Sequence, residues 1–383
     1  MTQLTRCHIC GARLVELEGY TTATQVTSDC RPWREGGHLA VCSGCETVQK
    51  PVTENWLSEV QEIYAGYAVY GQGGGVEQAS FDQNTGASMA RSLKIVNWLQ
   101  SNGTLRKTGA LLDIGCGNGA FLRAFGLNNP HWQMTGLELD SRNQTLIESI
   151  AGVTKLHVGP LESLQTRFDL IVLIHALEHI PDPINYLKSL SGLLNPGGLL
   201  LIEVPDIETS PFDILIADHC THFSSITLGG TLSKAGFEVF GLEAGSVVTK
   251  ELTSLARYPA LSDQTNSDSS EVCGKTTAMI HIAWLQQLLE QGQSATGPVG
   301  IFGTSISATW LAAALGSKVG FFVDEDINRT GRRHMGYPIY SPKDAPKNSV
   351  LLMPLRTDIA TAVAQRLAQY NLQFTIPSAP SNA

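Results

Sequence analysis

The sequence predicts an α/β protein in which a parallel-sheet domain lies between a small cysteine-containing module and a second α/β unit. Five candidate strands follow one another between residues 111 and 205, and their continuous apolar runs suit strands buried on both faces of a parallel sheet. Two C-x-x-C pairs occur before residue 50, and another strand–turn–helix–strand pattern begins near residue 299. At 383 residues, the chain is long enough for two or three domains.

Residues 1–50 form the first predicted module, because each C-x-x-C pair can place two thiolates on one turn. In a chain expected to be cytosolic, this paired spacing favours a structural zinc site over free thiols. Cys30 and His38 lie between the pairs and could substitute as ligands, but four thiolates already close a tetrahedral site. A closed site has no position for a substrate, so we expect it to act in folding. The predicted zinc ligands are Cys7, Cys10, Cys42 and Cys45.

Residues 51–105 have a mostly helical pattern and contain three tyrosines at helical spacing, Tyr64, Tyr67 and Tyr70. Tyrosines in this arrangement favour packing in a core or an interface. The glycine-rich segment 71–75 follows them, so a mobile lid is the alternative. We expect this region to be a helical, tyrosine-rich lid or linker.

A glycine-rich turn is the most informative local feature of the chain. The apolar run 111–114, which contains Asp113, leads directly into glycines at alternate positions, and residues 120–125 then have a helical pattern. Glycine lets the backbone turn sharply and approach a ligand. The N–H groups at the start of the next helix can bind a negatively charged group. The pattern therefore predicts a ligand site at Gly115, Gly117 and Gly119.

The central domain is predicted over residues 106–258. Its second strand, 132–137, ends at Glu138, one strand–helix–strand unit after the glycines, where a carboxylate can accept hydrogen bonds from both hydroxyls of a ribose. The other predicted elements are strands at 155–158, 168–175, 197–205 and 237–242, and a helix at 227–235.

A polar, turn-rich linker is predicted at 259–273, followed by a C-terminal α/β domain at 274–383. In this domain a helix at 275–291 precedes a strand that ends near Gly303. The domain could bind a second nucleotide. Because only Gly303 remains of a glycine fingerprint, we favour a purely structural role.

The central domain resembles the class I S-adenosylmethionine (SAM) methyltransferases. Its LLDIGCGNG segment is similar to their first motif, and FDLIVLIHALEHIPDP and LLNPGGLLLIEVP are similar to their later motifs. The alternatives are a dinucleotide-binding domain or a fold that has lost its ligand. The resemblance implies that the three glycines hold the amino-acid end of SAM and that Glu138 binds its ribose. Further cofactor-site candidates are Asp113 at the loop or the SAM ammonium group, Leu161 near the adenine, and His175.

The order of cysteine module, SAM domain and Rossmann-like tail resembles the deoxysugar C-methyltransferases, which act on nucleotide-linked keto sugars. Their segment Y-x-E-H, which ends in an aromatic residue followed by Phe-Ser, matches residues 216–224, although Ile216 replaces the tyrosine and Asp218 replaces the glutamate. The resemblance implies C-methylation next to a ketone, which needs a base and a donor to the enolate oxygen. We expect His219 to be that base, positioned by Asp218, with His179 as the second candidate. His222 is interpreted as a surface histidine.

Composition restricts the partners. The net charge of −9 and the lack of Lys- or Arg-rich runs argue against nucleic acid. There is no apolar stretch of about 20 residues and no signal-peptide core, so we expect a cytoplasmic protein without a membrane partner. A small-molecule substrate, such as a nucleotide-linked sugar, is the expected partner, and the oligomeric state is left open. The competing interpretations are an O- or N-methyltransferase of another small molecule and a SAM-binding scaffold without catalysis.

Overall fold

The structure, a computed structural model, describes residues 6–68, 77, 79–81, 88–102, 105–259 and 274–379. Tyr70, the glycine-rich segment 71–75 and residues 260–273 of the predicted linker lie outside the described residues.

The helices and strands form three groups along the chain. The N-terminal group is β1 (Leu14–Glu16), β2 (Thr24–Val26), β3 (Pro32–Glu35), β4 (Ala40–Cys42), β5 (Val48–Gln49) and α1 (Glu54–Ala65). The central group is β6 (Ala79–Phe81), β7 (Ser88–Ala90), α2 (Arg91–Ser101), β8 (Gly109–Ile114), α3 (Ala120–Asn128), β9 (Trp132–Glu138), α4 (Gln144–Glu148), β10 (Val153–Val158), β11 (Phe168–Ile174), α5 (Pro183–Ser191), β12 (Leu194–Pro205), β13 (Thr221–His222), α6 (Ser225–Lys234), β14 (Glu238–Ala244) and β15 (Glu251–Arg257). The C-terminal group is α7 (Gly274–Ser294), β16 (Val299–Phe302), α8 (Ile306–Leu315), β17 (Val319–Val323), β18 (Arg333–His334), β19 (Tyr337–Tyr340), β20 (Val350–Leu352), α9 (Thr357–Leu367) and β21 (Gln373–Thr375).

The central sheet has the strand order β10-β9-β8-β11-β12-β15-β14. Its first five strands are parallel, whereas β15 runs antiparallel between β12 and β14. This arrangement confirms the predicted Rossmann-like α/β fold. The sequence analysis missed β15. Its buried Thr253 and Ser254 interrupt the apolar pattern that identified the other strands.

Alternate residues of the parallel strands pack on opposite faces of the sheet, as the period of a strand requires. On one face, Leu112 and Ile171 share a buried cluster with residues of α5 and α6. On the other face, Leu111 and Leu170 pack with residues of α2 and α3. Both faces are therefore covered, which explains the continuous apolar runs. No helix within the described ranges combines the length and the apolarity needed to cross a bilayer.

The N-terminal module is hydrogen-bonded to the central domain. Strand β13 adds to the module's sheet, in the order β1-β4-β5-β13. Val48 of β5 pairs with His222 of β13, and the backbone N–H of Ala217 donates to Val26 across 2.7 Å. The indole N–H of Trp56 donates to the carbonyl of Ala217. The segment that contains the predicted catalytic residues is thus held from outside its own domain.

The C-terminal domain has its own sheet, in the order β18-β19-β17-β16-β20-β21, and all of its pairs except β18–β19 are parallel. It packs against the central domain through Phe212, whose ring centroid lies 5.5 Å from that of Trp284 and 6.0 Å from that of Trp310. This packing brings the N-terminus of α8 to the edge of the central domain.

Candidate functional site

The glycine turn forms a cradle at the carboxyl end of β8. All three glycines have positive φ, with values of 69° at Gly115, 57° at Gly117 and 78° at Gly119. A Cβ on Gly119 would lie 2.5 Å from Cδ1 of Ile150, so that side chain would have to shift, and the positive φ disfavours any residue with a side chain at this position. Asp113, just before the turn, is buried, and burial followed by the charge of Glu138 raises the pKa of its carboxyl group. This narrow, backbone-lined turn fits the amino-acid end of SAM.

Glu138 lies beside the cradle, at the end of the neighbouring strand β9. Its Oε1 accepts a hydrogen bond from the N–H of Gly117 across 2.5 Å. Burial raises the pKa of Glu138, although the hydrogen bond from Gly117 lowers it. The structure therefore brings two of the predicted cofactor residues into direct contact. Leu161 instead lies in the core under the sheet and does not line the cavity next to the glycines.

A cavity of about 350 Å³ opens beside the glycine turn, where all three parts of the chain meet. This is the carboxyl edge of the parallel strands, where ligands bind in open α/β sheets. Asp113, Gly115 and Gly117 line it together with His175, His179 and His219. The N-terminal module contributes Ser28, Asp29 and Cys30, and the C-terminal domain contributes Ser305, Ile306, Ser307 and Arg329. The C-terminal domain thus forms part of the cavity wall.

His219 is held by Asp213, and not by Asp218 as expected. Nδ1 of His219 lies 2.7 Å from Oδ1 of Asp213, while Nδ1 of His222 lies 2.5 Å from Oδ2 of the same carboxylate. A short 3₁₀ turn at residues 213–215 brings Asp213 back toward the histidines. His222 is 1% exposed, so its interpretation as a surface histidine is wrong. We refer to His219, Asp213 and His222 as the histidine–aspartate cluster.

Asp218 makes a different set of contacts. It accepts hydrogen bonds from Oγ of Ser28 at 2.5 Å and from the backbone N–H of Ser28 at 2.9 Å. Its Oδ2 also lies 3.4 Å from Nδ1 of His179. The hydroxyl oxygens of Ser28 and Tyr67 are 3.3 Å apart. Asp218 therefore links the cavity wall of the N-terminal module to His179.

Two of the three cavity histidines, His179 and His219, lie next to each other, with ring centroids 4.5 Å apart and nearly perpendicular planes. Burial lowers the pKa of His219, but the hydrogen bond and charge of Asp213 raise it above its usual value. For His179, burial and the neighbouring His219 keep the pKa low. Tyr64 packs edge-on against His179, at 6.2 Å between ring centroids, in keeping with the packing role predicted for the tyrosines.

His175 lies at the end of β11 among three carboxylates. Its Nδ1 is 3.2 Å from Glu178, and its Nε2 is 3.6 Å from both Glu203 and Glu251. Burial lowers the pKa of His175, but the carboxylates, Glu251 foremost, raise it well above its usual value. Burial also raises the pKa of Glu251 to about 7. His175 thus lies among three carboxylates beside the glycine cradle.

The four predicted zinc ligands converge at one point. Their sulfur atoms all lie within 4.8 Å of one another, with 3.7 Å between Cys7 and Cys45 and 3.3 Å between Cys10 and Cys42. Four thiolates about 2.3 Å from a zinc ion would lie about 3.8 Å apart. Within each pair, backbone N–H groups point at the first sulfur. The donor set fits zinc, and His38 lies apart from it, bonded to Glu16.

Sequence reasoning missed several residues of the site. Asp213 precedes His219 by six residues, and only the 3₁₀ turn brings the two together. Glu251 belongs to the unidentified strand β15. Arg329 reaches the cavity from the other end of the chain. No local pattern marks these three, because each depends on contacts between distant segments.

Comparison with known proteins identifies the central domain. Residues 89–241 match a family model described as a methyltransferase domain. The ubiquinone biosynthesis O-methyltransferase of Actinobacillus pleuropneumoniae serotype 7 is 30% identical over 121 residues, which cover 27% of this chain and 48% of that protein. Its counterpart in Cereibacter sphaeroides (strain ATCC 17023) is 32% identical over 123 residues, which cover 28% and 45%. The chain thus spans about half the length of these curated relatives.

Similar solved structures include a SAM-dependent methyltransferase from Clostridium acetobutylicum, with 13% identity and a TM-score of 0.38, covering 44% of this chain and 92% of that one. Another is the [4+2]-cyclase SpnF, with 15% identity and a TM-score of 0.41, covering 54% and 93%. The match of residues 89–241 to the family model coincides with the glycine cradle, Glu138 and the parallel sheet. The chain therefore carries a class I SAM-dependent methyltransferase domain.

Proposed function

We propose that the protein is an enzyme that transfers the methyl group of SAM to a small-molecule acceptor. The observation that carries this proposal is that Gly115 and Gly117 of the cradle line one cavity of about 350 Å³ together with three histidines, two of which, His179 and His219, are the candidate catalytic groups. SAM supplies an electrophilic methyl group when bound. The chain itself has to align the acceptor with that group and exclude water, which a cavity enclosed by three parts of the chain can do.

We further propose that the acceptor is a carbon next to the ketone of a nucleotide-linked deoxysugar. In this reaction, Nε2 of His219 removes the proton from that carbon, while Asp213 holds the ring through its Nδ1–H. His179 lies next to His219 and donates its Nδ1–H to the carbonyl of Asp218. Because Nδ1 donates, Nε2 of neutral His179 carries a lone pair. It becomes a donor to the enolate oxygen only when the ring takes up a second proton.

The C-terminal wall of the cavity supports a substrate that carries phosphate. Arg329 lines this wall and is held by Oγ1 of Thr304 at 2.9 Å. Ser305 and Ser307 lie beside it at the start of α8. Arg329 also lies 3.5 Å from Asp324 and 3.4 Å from Asp326, so part of its charge is already balanced. The hydroxyl groups, the helix N-terminus and the remaining donors of the guanidinium group favour an anion.

Methylation of oxygen or nitrogen is the second candidate. Two observations favour it: Ile216 lines the cavity where the resemblance expects a tyrosine, and the curated relatives are named as ubiquinone biosynthesis O-methyltransferases. In such a reaction His219 would remove the proton of a hydroxyl or ammonium group.

We also propose that Cys7, Cys10, Cys42 and Cys45 bind a structural zinc ion. The ion would fix the N-terminal sheet, whose strand β5 pairs with β13 and so supports His222. Zinc would thus contribute to the shape of the cavity without contacting the acceptor.

The test is mass spectrometry of reactions that contain the protein, SAM and a panel of nucleotide-linked keto sugars in deuterated water. A product with one added methyl group would support the sugar proposal, and deuterium uptake without SAM would show enolisation by the protein. If SAM binds but no sugar gains a methyl group or deuterium, the sugar proposal falls. Hydroxyl- and amine-bearing acceptors are then tested in the same assay. If these too stay unmodified, the alternative of a SAM-binding scaffold replaces the enzyme.

A further inference from the structure

The histidine–aspartate cluster places two imidazoles on one buried carboxylate. Each oxygen of Asp213 is occupied by one ring nitrogen, at 2.7 Å for His219 and 2.5 Å for His222. All three side chains are at most 3% exposed. Because each N···O pair needs a proton between its atoms, both rings donate through Nδ1 and both have Nε2 free to gain or lose a further proton.

The two Nε2 atoms face different compartments. His219 lines the large cavity next to the glycine cradle. Nε2 of His222 has no hydrogen-bond partner among the described residues. His222 lines a separate cavity of about 10 Å³ together with Ser224, Thr227 and Glu208. This volume suffices for about one water molecule. Glu208 is exposed, so the small cavity lies close to solvent.

We propose that His219 and His222 share a single imidazolium charge over Asp213, and that the positive charge of bound SAM moves it from His219 to His222. One carboxylate balances one imidazolium, whereas two imidazolium rings whose centroids are 6.5 Å apart would repel each other inside the protein. SAM brings its sulfonium charge into the cavity that His219 lines and His222 does not. The imidazolium charge is therefore more stable on His222, which does not line that cavity.

The proton balance is simple. On SAM binding, Nε2 of His219 releases a proton to solvent through the large cavity, and Nε2 of His222 takes one from solvent through the small cavity, beside the exposed Glu208. Both Nδ1 protons stay on their hydrogen bonds to Asp213, and the charge of the cluster does not change. His219 is then neutral and has a lone pair directed at the acceptor. This step leaves Nε2 of His219 unprotonated, as the proposed function requires of the base.

The environment of the rings is consistent with such sharing. Burial lowers the pKa of both rings, but Asp213 outweighs burial only for His219, whose pKa is raised, while that of His222 is lowered. Together with the carboxylates of Glu178 and Asp218 near His219, these directions favour His219 as the ring that holds the charge without cofactor. The other charged or titratable groups facing the rings are Glu178, His179 and Asp218 near His219, and His8, Glu46, Lys50, Glu208 and His281 near His222.

The experiment is ¹⁵N NMR of the full chain with labelled histidine, near pH 7, with SAM or with S-adenosylhomocysteine. The second ligand has nearly the same shape but no sulfonium charge. The signals are assigned with His219→Gln and His222→Gln. We expect SAM to convert His219 to a singly protonated ring and His222 to a doubly protonated one, and S-adenosylhomocysteine to leave both unchanged. In His222→Gln, whose side chain can still donate to Asp213 but cannot become a cation, SAM should convert less of His219 to the singly protonated ring than it does in the wild type.

The proposal is overturned if both rings are doubly protonated at the same pH, or if the two ligands give the same ring states. His157→Gln, which changes an exposed histidine bonded to Ser163, is the matched control and should behave as wild type. The inference depends on one part of the proposed function, namely that SAM binds in the large cavity. Isothermal titration calorimetry tests that binding separately. The NMR samples contain no methyl acceptor, so they report the charge shift alone. A failure of methyl transfer can therefore be distinguished from a failure of the charge shift.

Discussion

Nδ1 of His219 lies 2.7 Å from Oδ1 of Asp213, although Asp218 is the carboxylate next to it in the sequence. Asp218 points to Ser28 of the N-terminal module instead. The two carboxylates therefore have different tasks: Asp213 sets the tautomer and basicity of His219, and Asp218 joins two parts of the cavity wall.

Replacing Asp213 should impair turnover more than replacing Asp218. In Asp213→Asn the negative charge that fixes the Nδ1–H tautomer is lost, and we expect kcat to fall by about 10²–10⁴-fold, the usual range for general base catalysis. Asp218→Asn keeps the bond between Asp213 and His219 and should cost about tenfold or less. Initial rates with saturating SAM test this, with thermal unfolding as the check on folding. Equal losses in the two folded variants would contradict the assignment.

Turnover should rise with pH. Asp213 raises the pKa of His219 despite burial, so the neutral ring that acts as a base becomes populated only as pH rises through that elevated pKa. The acidic limb of kcat/KM for SAM, which reports the enzyme without cofactor, should therefore lie on the alkaline side of the usual histidine value of about 6.5. A profile of kcat/KM against pH for the wild type tests this. A limb below the usual histidine range would argue that His219 is not the base.

Glu138→Gln should weaken SAM binding. The change removes the charge of the carboxylate that we propose accepts hydrogen bonds from the ribose, and it alters the bond to Gly117. Charged hydrogen bonds contribute about 1.5–3 kcal/mol, so we expect Kd to rise roughly 10- to 150-fold. Isothermal titration calorimetry measures this. Asp140→Asn, which changes an exposed carboxylate bonded to Arg142, is the matched control. An unchanged Kd for Glu138→Gln would remove the residue from the cofactor site.

Cys42→Ser should remove the metal and loosen the cavity. The wild-type chain should contain about one zinc ion, since four thiolates complete one tetrahedral site. The variant should lose it, unfold at a lower temperature and lose turnover, because β5 of the same module pairs with β13 next to His219. Elemental analysis and thermal unfolding measure these effects. Cys30→Ser lies outside the cluster and should keep its zinc. A wild type without zinc would refute the metal proposal.

Arg329→Gln should raise the KM for a phosphate-bearing acceptor. The guanidinium group lines the cavity wall formed by the C-terminal domain. Loss of one charged contact should raise KM about tenfold or more, while the Kd for SAM stays unchanged. Arg332→Gln, an exposed neighbour, is the control. If the two variants give the same KM and both fold, Arg329 does not contact the acceptor.

Local sequence patterns were sufficient for the central fold and its cofactor loop. The sequence predicted the glycine turn after β8 and the apolar strands β9, β11 and β12. It could do so because strand, turn and helix are specified by near neighbours in the chain. The same holds for the two C-x-x-C pairs, since each knuckle is a local turn. The antiparallel strand β15 was not predicted, because its place between β12 and β14 depends on pairing with those strands and not on its own composition.

The sequence by itself thus determined the methyltransferase architecture, the position of the glycine cradle and the four candidate metal ligands. Only the tertiary structure decided which carboxylate holds His219, that His222 is buried on the same carboxylate, and that the C-terminal domain closes the cavity. The physical reason is distance along the chain. Local geometry is set by neighbouring residues, whereas hydrogen bonds between side chains and the walls of a cavity depend on how distant segments pack together.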